Sequence, residues 1–158
     1  MELVKYPSKI LREHAGEVEF FGDKRELMMN MVRLMVQNNG LGLAAPQVGL
    51  SLKTFVWIHD GYPHAIWNPE IKCLSGELTL PEGCLSLPGI SVSKTRSCSS
   101  VLIGNGINGK PLQFNGNALM TRIWQHEIDH LNGTLIIDSM SKTDEVKNTK
   151  AIRLLMEQ

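Results

Sequence analysis

The chain has 158 residues, the length of one ordinary domain with room for a sizeable hydrophobic core. Hydrophobic residues make up 42% and charged residues 20%, which excludes a disordered chain. Lysine plus arginine and aspartate plus glutamate both count 16, and that balance argues against direct nucleic-acid binding or attraction to anionic membranes.

In chain order, residues 1–11 alternate polar and apolar side chains and lack the apolar run of a secretory signal. Arg25–Gln37 places Leu27, Met28, Met31, Leu34 and Met35 at helical spacing, with Asp23 as N-cap and Asn38-Asn39-Gly40 as the stop. Residues 40–49 are rich in small side chains and read as a loop or a close backbone approach. Residues 53–58 and 64–67 predict two strands joined around Asp60-Gly61. Pro81 and Gly83 make residues 79–86 an irregular extended stretch. Residues 99–103 and 110–115 predict strands flanking a turn over 104–109. Residues 117–131 form a second helix with Leu119, Met120, Ile123, Trp124 and Ile128 at helical period, stopped by Asn132-Gly133. A third, shorter helix is expected over residues 143–157, opening at Ser141 or Thr143.

Strands and helices without βαβ alternation imply an α+β fold. Small antiparallel or mixed sheets are expected around the second helix, with an N-terminal helix and a short C-terminal helix, in a single catalytic domain over residues 1–158. No apolar run approaches a membrane span. Cys73, Cys84 and Cys98 form no CxxC pair and no even disulfide set, so reduced thiols in a cytosol are expected.

The second helix carries His126-Glu127-Ile128-Asp129-His130. Residues four apart share a helix face, so His126 and His130 can aim two imidazoles at one ion. Glu127 is offset but can reach a water beside that ion, the arrangement of a zinc hydrolase. A catalytic site needs a third ligand. Metalloproteases with a downstream histidine would place it where this chain has Ile136, which disfavours that completion. His14, His59 and His64, several carboxylates and the three thiols are the alternatives. Cys84, in Glu82-Gly83-Cys84-Leu85-Ser86, is as compatible with a small buried apolar role as with ligation. Asp129 lies off the shared histidine face and reads as half of an ion pair with an arginine such as Arg96. Cys73 and Cys98 read as structural thiols.

Three segments in order resemble the signature motifs of peptide deformylases: Gly40-Leu41-Gly42-Leu43-Ala44-Ala45-Pro46-Gln47, then Glu82-Gly83-Cys84-Leu85-Ser86, then Gln125-His126-Glu127-Ile128-Asp129-His130. Tyr6-Pro7 through Leu11-Arg12, Asn68-Pro69, Gly76 and Arg96 are similar to that family too, and the likeness runs from about Pro7 to Asp138. The resemblance implies removal of the formyl group from N-formylmethionine on nascent polypeptides. It implies a metal held by Cys84, His126 and His130, usually Fe2+, with Zn2+, Ni2+ or Co2+ as alternatives. Glu127 would be the general base, with Gln47 and the Leu85 backbone N–H as oxyanion donors. An extended peptide would lie along Gly40, Leu41 and Gly42, with Glu82 and Gly83 beside it. Leu41, Leu80, Leu119 and Ile123 would line the methionine pocket.

The family further implies a cytoplasmic enzyme, expected as a monomer. Ser139 stands where many members carry arginine, and the short tail fits a compact bacterial or phage member. Lys142, Lys147, Lys150 and Arg153 offer a route to ribosome docking, but interleaved Asp144, Glu145 and Glu157 favour a solvated helix face. The rival functions are a metallopeptidase acting on internal bonds and a non-catalytic relative. The former lacks its downstream ligand, and the latter is expected to have lost Glu127, Gln47 or Cys84.

Overall fold

Phe55, Val56 and Trp57 alternate between two apolar clusters, as successive side chains of a strand must when both faces of a sheet are covered. A computed structural model describes residues 1–19 and 24–157. Strands β1 (Gly42–Ala44), β2 (Thr54–His59), β3 (Tyr62–Ser75), β6 (Ser99–Asn105) and β7 (Pro111–Gly116) form one five-stranded sheet in that order. Strands β4 (Leu78–Cys84) and β5 (Leu87–Arg96) form a separate hairpin. Among the described residues every pairing between these strands is antiparallel, so the α+β class is found with antiparallel rather than mixed sheets.

Helix α2 (Ala118–Leu131) covers one face of the larger sheet. Its Met120, Ile123, Trp124 and Leu131 pack with Phe55, Trp57, Ile66 and Leu102. Trp57 and Trp124 meet edge to face with centroids 5.8 Å apart. Fully burying side chains of this size contributes about 1.5–3 kcal/mol each, which anchors the helix axis firmly. Helix α1 (Arg25–Gln37) places Met31 and Met35 with Leu43 and Val56, on the other side of the same strands. Its bounds match those read from spacing, while Asp23 lies outside the described residues.

Helix α3 (Lys142–Met156) covers the hairpin. Asn148 bonds both the N–H and the C=O of Ser91, at 3.2 and 2.8 Å, and Asp144 accepts from the Ser93 N–H at 3.2 Å. These two side chains satisfy backbone groups on the exposed edge of β5. Ser141 is the N-cap, accepting from the Asp144 N–H at 3.1 Å. No described helix is long and apolar enough to cross a membrane.

The structure corrects several local expectations. Residues 40–49 are not a simple loop but β1 followed by a 3-10 turn, Ala45–Val48. The stretch over 79–86 is mostly the ordered strand β4, and its partner β5 was not anticipated. Strand β3 continues past Trp67, through an irregularity at Asn68-Pro69. The Asp60-Gly61 turn is found as expected, both residues at positive φ (48° and 79°) between the paired His59 and Tyr62.

The N-terminal segment runs as a strap across all three motif regions. Val4 donates its N–H to the Gln47 carbonyl at 2.8 Å, Tyr6 to that of Ser86 at 2.9 Å, and Ala15 to that of Leu131 at 2.8 Å.

Candidate metal centre and active site

Three elements meet at one cavity. The N-cap Asn117, which accepts from the Met120 N–H at 3.0 Å, starts α2. A C-terminal motif ends it: Gly133 donates to the His130 carbonyl and Thr134 to that of Asp129, at 3.2 and 2.9 Å, with Gly133 at φ 69°. Between these fixed ends the helix presents His126 and His130 one turn apart, with ring centroids 5.0 Å apart. The hairpin brings Cys84 to them at the last residue of β4, just before the two-residue turn Leu85-Ser86.

Among the described residues, Cys84, His126 and His130 are the one set whose ligand atoms gather, all within 4.8 Å of one another. Cys84 Sγ lies 3.2 Å from His130 Nε2. A thiol and two imidazoles suit Fe2+, Zn2+ or Ni2+. Glu127 is buried, and its Oε2 has no hydrogen-bond partner among the described residues. These donors fit a metal hydrolase. The earlier alternatives lie elsewhere: His59 and His64 neighbour each other on the β2–β3 hairpin, with His64 stacked on Trp57, and His14 is exposed. Ile136 is buried in the apolar cluster beneath the hairpin.

The electrostatics separate the groups. Burial pushes Glu127 up to about 7, with His126 opposing and Glu82 adding to the rise. Burial pushes His130 well below its ordinary value, keeping its imidazole neutral as ligation requires. Burial acts downward on His126 as well, but hydrogen bonds to Cys84 and Glu82 outweigh it and raise His126 to about 10 from the protein's own charges. Glu82 sits far below the usual carboxylate range, because bonds from His126 and Arg96 overcome its burial.

Gln47 is 1% exposed and its side chain is fixed at both ends. Its Oε1 accepts from the Ala44 N–H at 2.9 Å, which turns Nε2 toward Cys84 Sγ and Ser86 Oγ, at 3.6 and 3.3 Å. The cavity, about 540 Å3, is lined by Gly40, Leu41, Gly42, Gln47, Leu80, Glu82, Gly83, Cys84, Leu85, Leu119, Ile123, His126 and Glu127. His130 lies beneath it, 2% exposed. Leu41, Leu80 and Leu119 resemble core residues in sequence, yet they are 52%, 43% and 55% exposed at the cavity mouth, with Ile123 buried behind them.

The glycines have a tighter reason than room for a peptide. A Cβ on Gly42 would lie 2.3 Å from Glu127 Oε1, and one on Gly40 would lie 2.7 Å from Leu85 Cδ1. Asp129 does pair with Arg96, at 2.7 Å. Arg122 was missed by the sequence reading. It lies one turn before His126 on the histidine face, lines the cavity and is 9% exposed. A charged residue at that spacing on a buried face was the available signal.

The family model for polypeptide deformylase matches residues 1–146. The peptide deformylase of Thermodesulfovibrio yellowstonii is 40% identical over 149 residues, covering 89% of this chain and 89% of its own. That of Borreliella burgdorferi is 41% identical over 142 residues, covering 87% and 86%. The solved peptide deformylase of Plasmodium falciparum superposes with a TM-score of 0.92 at 35% identity, covering 99% of this chain and 95% of that one.

Proposed function

The chain belongs to the polypeptide deformylase family, and from that premise we propose what each residue of its site does. The enzyme is a metal-dependent hydrolase that removes the N-formyl group from N-formylmethionine of nascent polypeptides and releases formate. Its metal ligands are Cys84, His126 and His130, and the observation that carries the assignment is their convergence beside the unpartnered carboxylate of Glu127. A bound divalent cation supplies Lewis acidity, which acidifies water and polarises a carbonyl. We assign Fe2+ as that ion, with Zn2+, Ni2+ and Co2+ compatible with the same donors.

The formylated N-terminus enters in extended form past Gly40, Leu41 and Gly42, with its methionine among Leu41, Leu80, Leu119 and Ile123. That role accounts for three large apolar side chains left exposed at one cavity mouth. Glu127 takes a proton from the attacking water, which adds to the formyl carbon. Charge gathers on the formyl oxygen, where Gln47 Nε2 and the Leu85 N–H donate. Glu127 then delivers its proton to the departing amine as the C–N bond breaks, leaving formate and a free methionine terminus. An elevated Glu127 pKa suits both halves of that shuttle. The reading extends to action as a monomer in one catalytic domain, because a single chain supplies every group named. It extends to the cytoplasm, where nascent chains emerge.

Anaerobically prepared protein loaded with iron, nickel or cobalt is expected to release formate from formyl-Met-Ala-Ser. No formate with any of the three would reject the reading. Anaerobic handling matters because a thiolate ligand is open to oxidation.

A further inference from the structure

Glu82 reads from sequence as a substrate contact, but its carboxylate is already full. Oε1 accepts from Arg96 Nε at 2.9 Å and from Arg122 Nη1 at 2.7 Å. Oε2 accepts from Arg96 Nη2 at 3.0 Å and lies 3.1 Å from His126 Nδ1. An ionised carboxylate offers about four lone-pair sites, and two partners on each oxygen use them all. Nothing remains for a substrate amide. Because Glu82 can only accept, His126 must donate from Nδ1, so Nε2 is the nitrogen that would give up its proton to bind a metal.

The partners of Glu82 are themselves fixed. Arg96 reaches across to Asp129, the residue before His130, at 2.7 Å. Arg122 spans from α2 to both strands of the hairpin, donating to the Leu78 carbonyl and, at 3.0 Å, to that of Lys94. The two arginines therefore stitch the helix bearing His126 and His130 to the hairpin bearing Cys84, along the seam where the ligands meet.

We propose that Glu82 is a positioning residue for the metal site: it fixes the tautomer and ring orientation of His126, and Arg96 and Arg122 hold its carboxylate in place. This rests on the ligand assignment above. Partners of this kind change metal affinity by about 10–100-fold when removed.

Two measurements test it. In zinc-loaded protein labelled with 15N-histidine, His126 is expected to carry its proton on Nδ1; a proton on Nε2 would overturn the proposal, and this needs no variant. Metal-free protein titrated with Co2+ is followed by the thiolate-to-cobalt absorption band. Glu82→Gln is expected to weaken cobalt binding about 10–100-fold while leaving KM for formyl-Met-Ala-Ser unchanged at saturating metal. Wild-type cobalt affinity with a raised KM would return Glu82 to the substrate. Absence of the band in the unaltered protein, or its persistence in Cys84→Ser, would instead refute the ligand assignment. A normal band with the wrong tautomer would refute only the positioning role.

Discussion

Replacing Gly42 with alanine separates catalysis from folding. The added Cβ would lie 2.3 Å from Glu127 Oε1 and 2.8 Å from Glu127 Cδ. An ordinary contact is about 3.5 Å, so the carboxylate must retreat by about 1 Å. Gly42 has no positive φ, so alanine meets no backbone strain there, and the obstructed atoms, which include Glu127 Cγ at 3.0 Å, all belong to one side chain rather than to backbone. The stability cost is therefore small. The catalytic cost is not, since a misplacement of about 1 Å can lose about 100-fold in rate, equivalent to about 2.7 kcal/mol of barrier. Formate release from formyl-Met-Ala-Ser should show kcat reduced on that scale. Metal content and the unfolding midpoint should stay near wild type. Wild-type kcat in Gly42→Ala would refute the idea that this backbone position fixes Glu127.

Glu127→Ala should retain the metal and lose about 100- to 10,000-fold in turnover, the range for a lost acid–base group; full activity would remove Glu127 from the mechanism. Ile123→Phe should lower kcat/KM on formyl-methionyl peptides by filling the inner wall of the cavity, and an unchanged value would count against that pocket. Asp138 accepts from Arg12 at 2.6 Å and from the Leu135 N–H at 2.8 Å. Burial tends to raise its pKa, but these bonds hold it below the ordinary value. A depressed folded pKa stabilises above the unfolded value of about 3.9 and loses that stability as pH falls through the folded pKa. Asp138→Asn should therefore cost about 1 kcal/mol in urea unfolding at neutral pH, the pair being partly exposed. The gap should close in acid, and a pH-independent difference would contradict the linkage.

The helices were legible because their signals are local. Met28, Met31 and Met35 share a face in α1, and the HExxH run needs only helical spacing to align its histidines. The β4–β5 hairpin was hidden by Pro81, which reads as a strand breaker. Pro81 pairs with Ser93 in a two-stranded ladder, where a proline can direct its missing donor away from the partner strand. Pro69 concealed the length of β3 in the same way, and the structure absorbs it at the register shift between Trp67 and Glu70. Leu41, Leu80 and Leu119 could not be told from core, because exposure is a property of the folded surface. The Arg96–Asp129 pair was anticipated, but Glu82 was not seen as its neighbour. Glu82 meets Arg96, Arg122 and His126 only after the hairpin folds onto α2, and no periodicity encodes that encounter.

The N-terminal strap supplies none of the gathered donor atoms, yet it ties together the segments that carry them. Its bonds to Gln47, Ser86 and Leu131 close successively longer loops. Each doubling of loop length costs only about 0.6 kcal/mol at equilibrium, so the arrangement is thermodynamically mild. Kinetically it is demanding, because long-range closures come late and slow the folding of mixed domains. During synthesis the strap residues must wait for Leu131, at the end of α2, before their last bond can close. A segment bonded beside all three motif regions cannot be fully secured until the helix carrying His126 and His130 has been made.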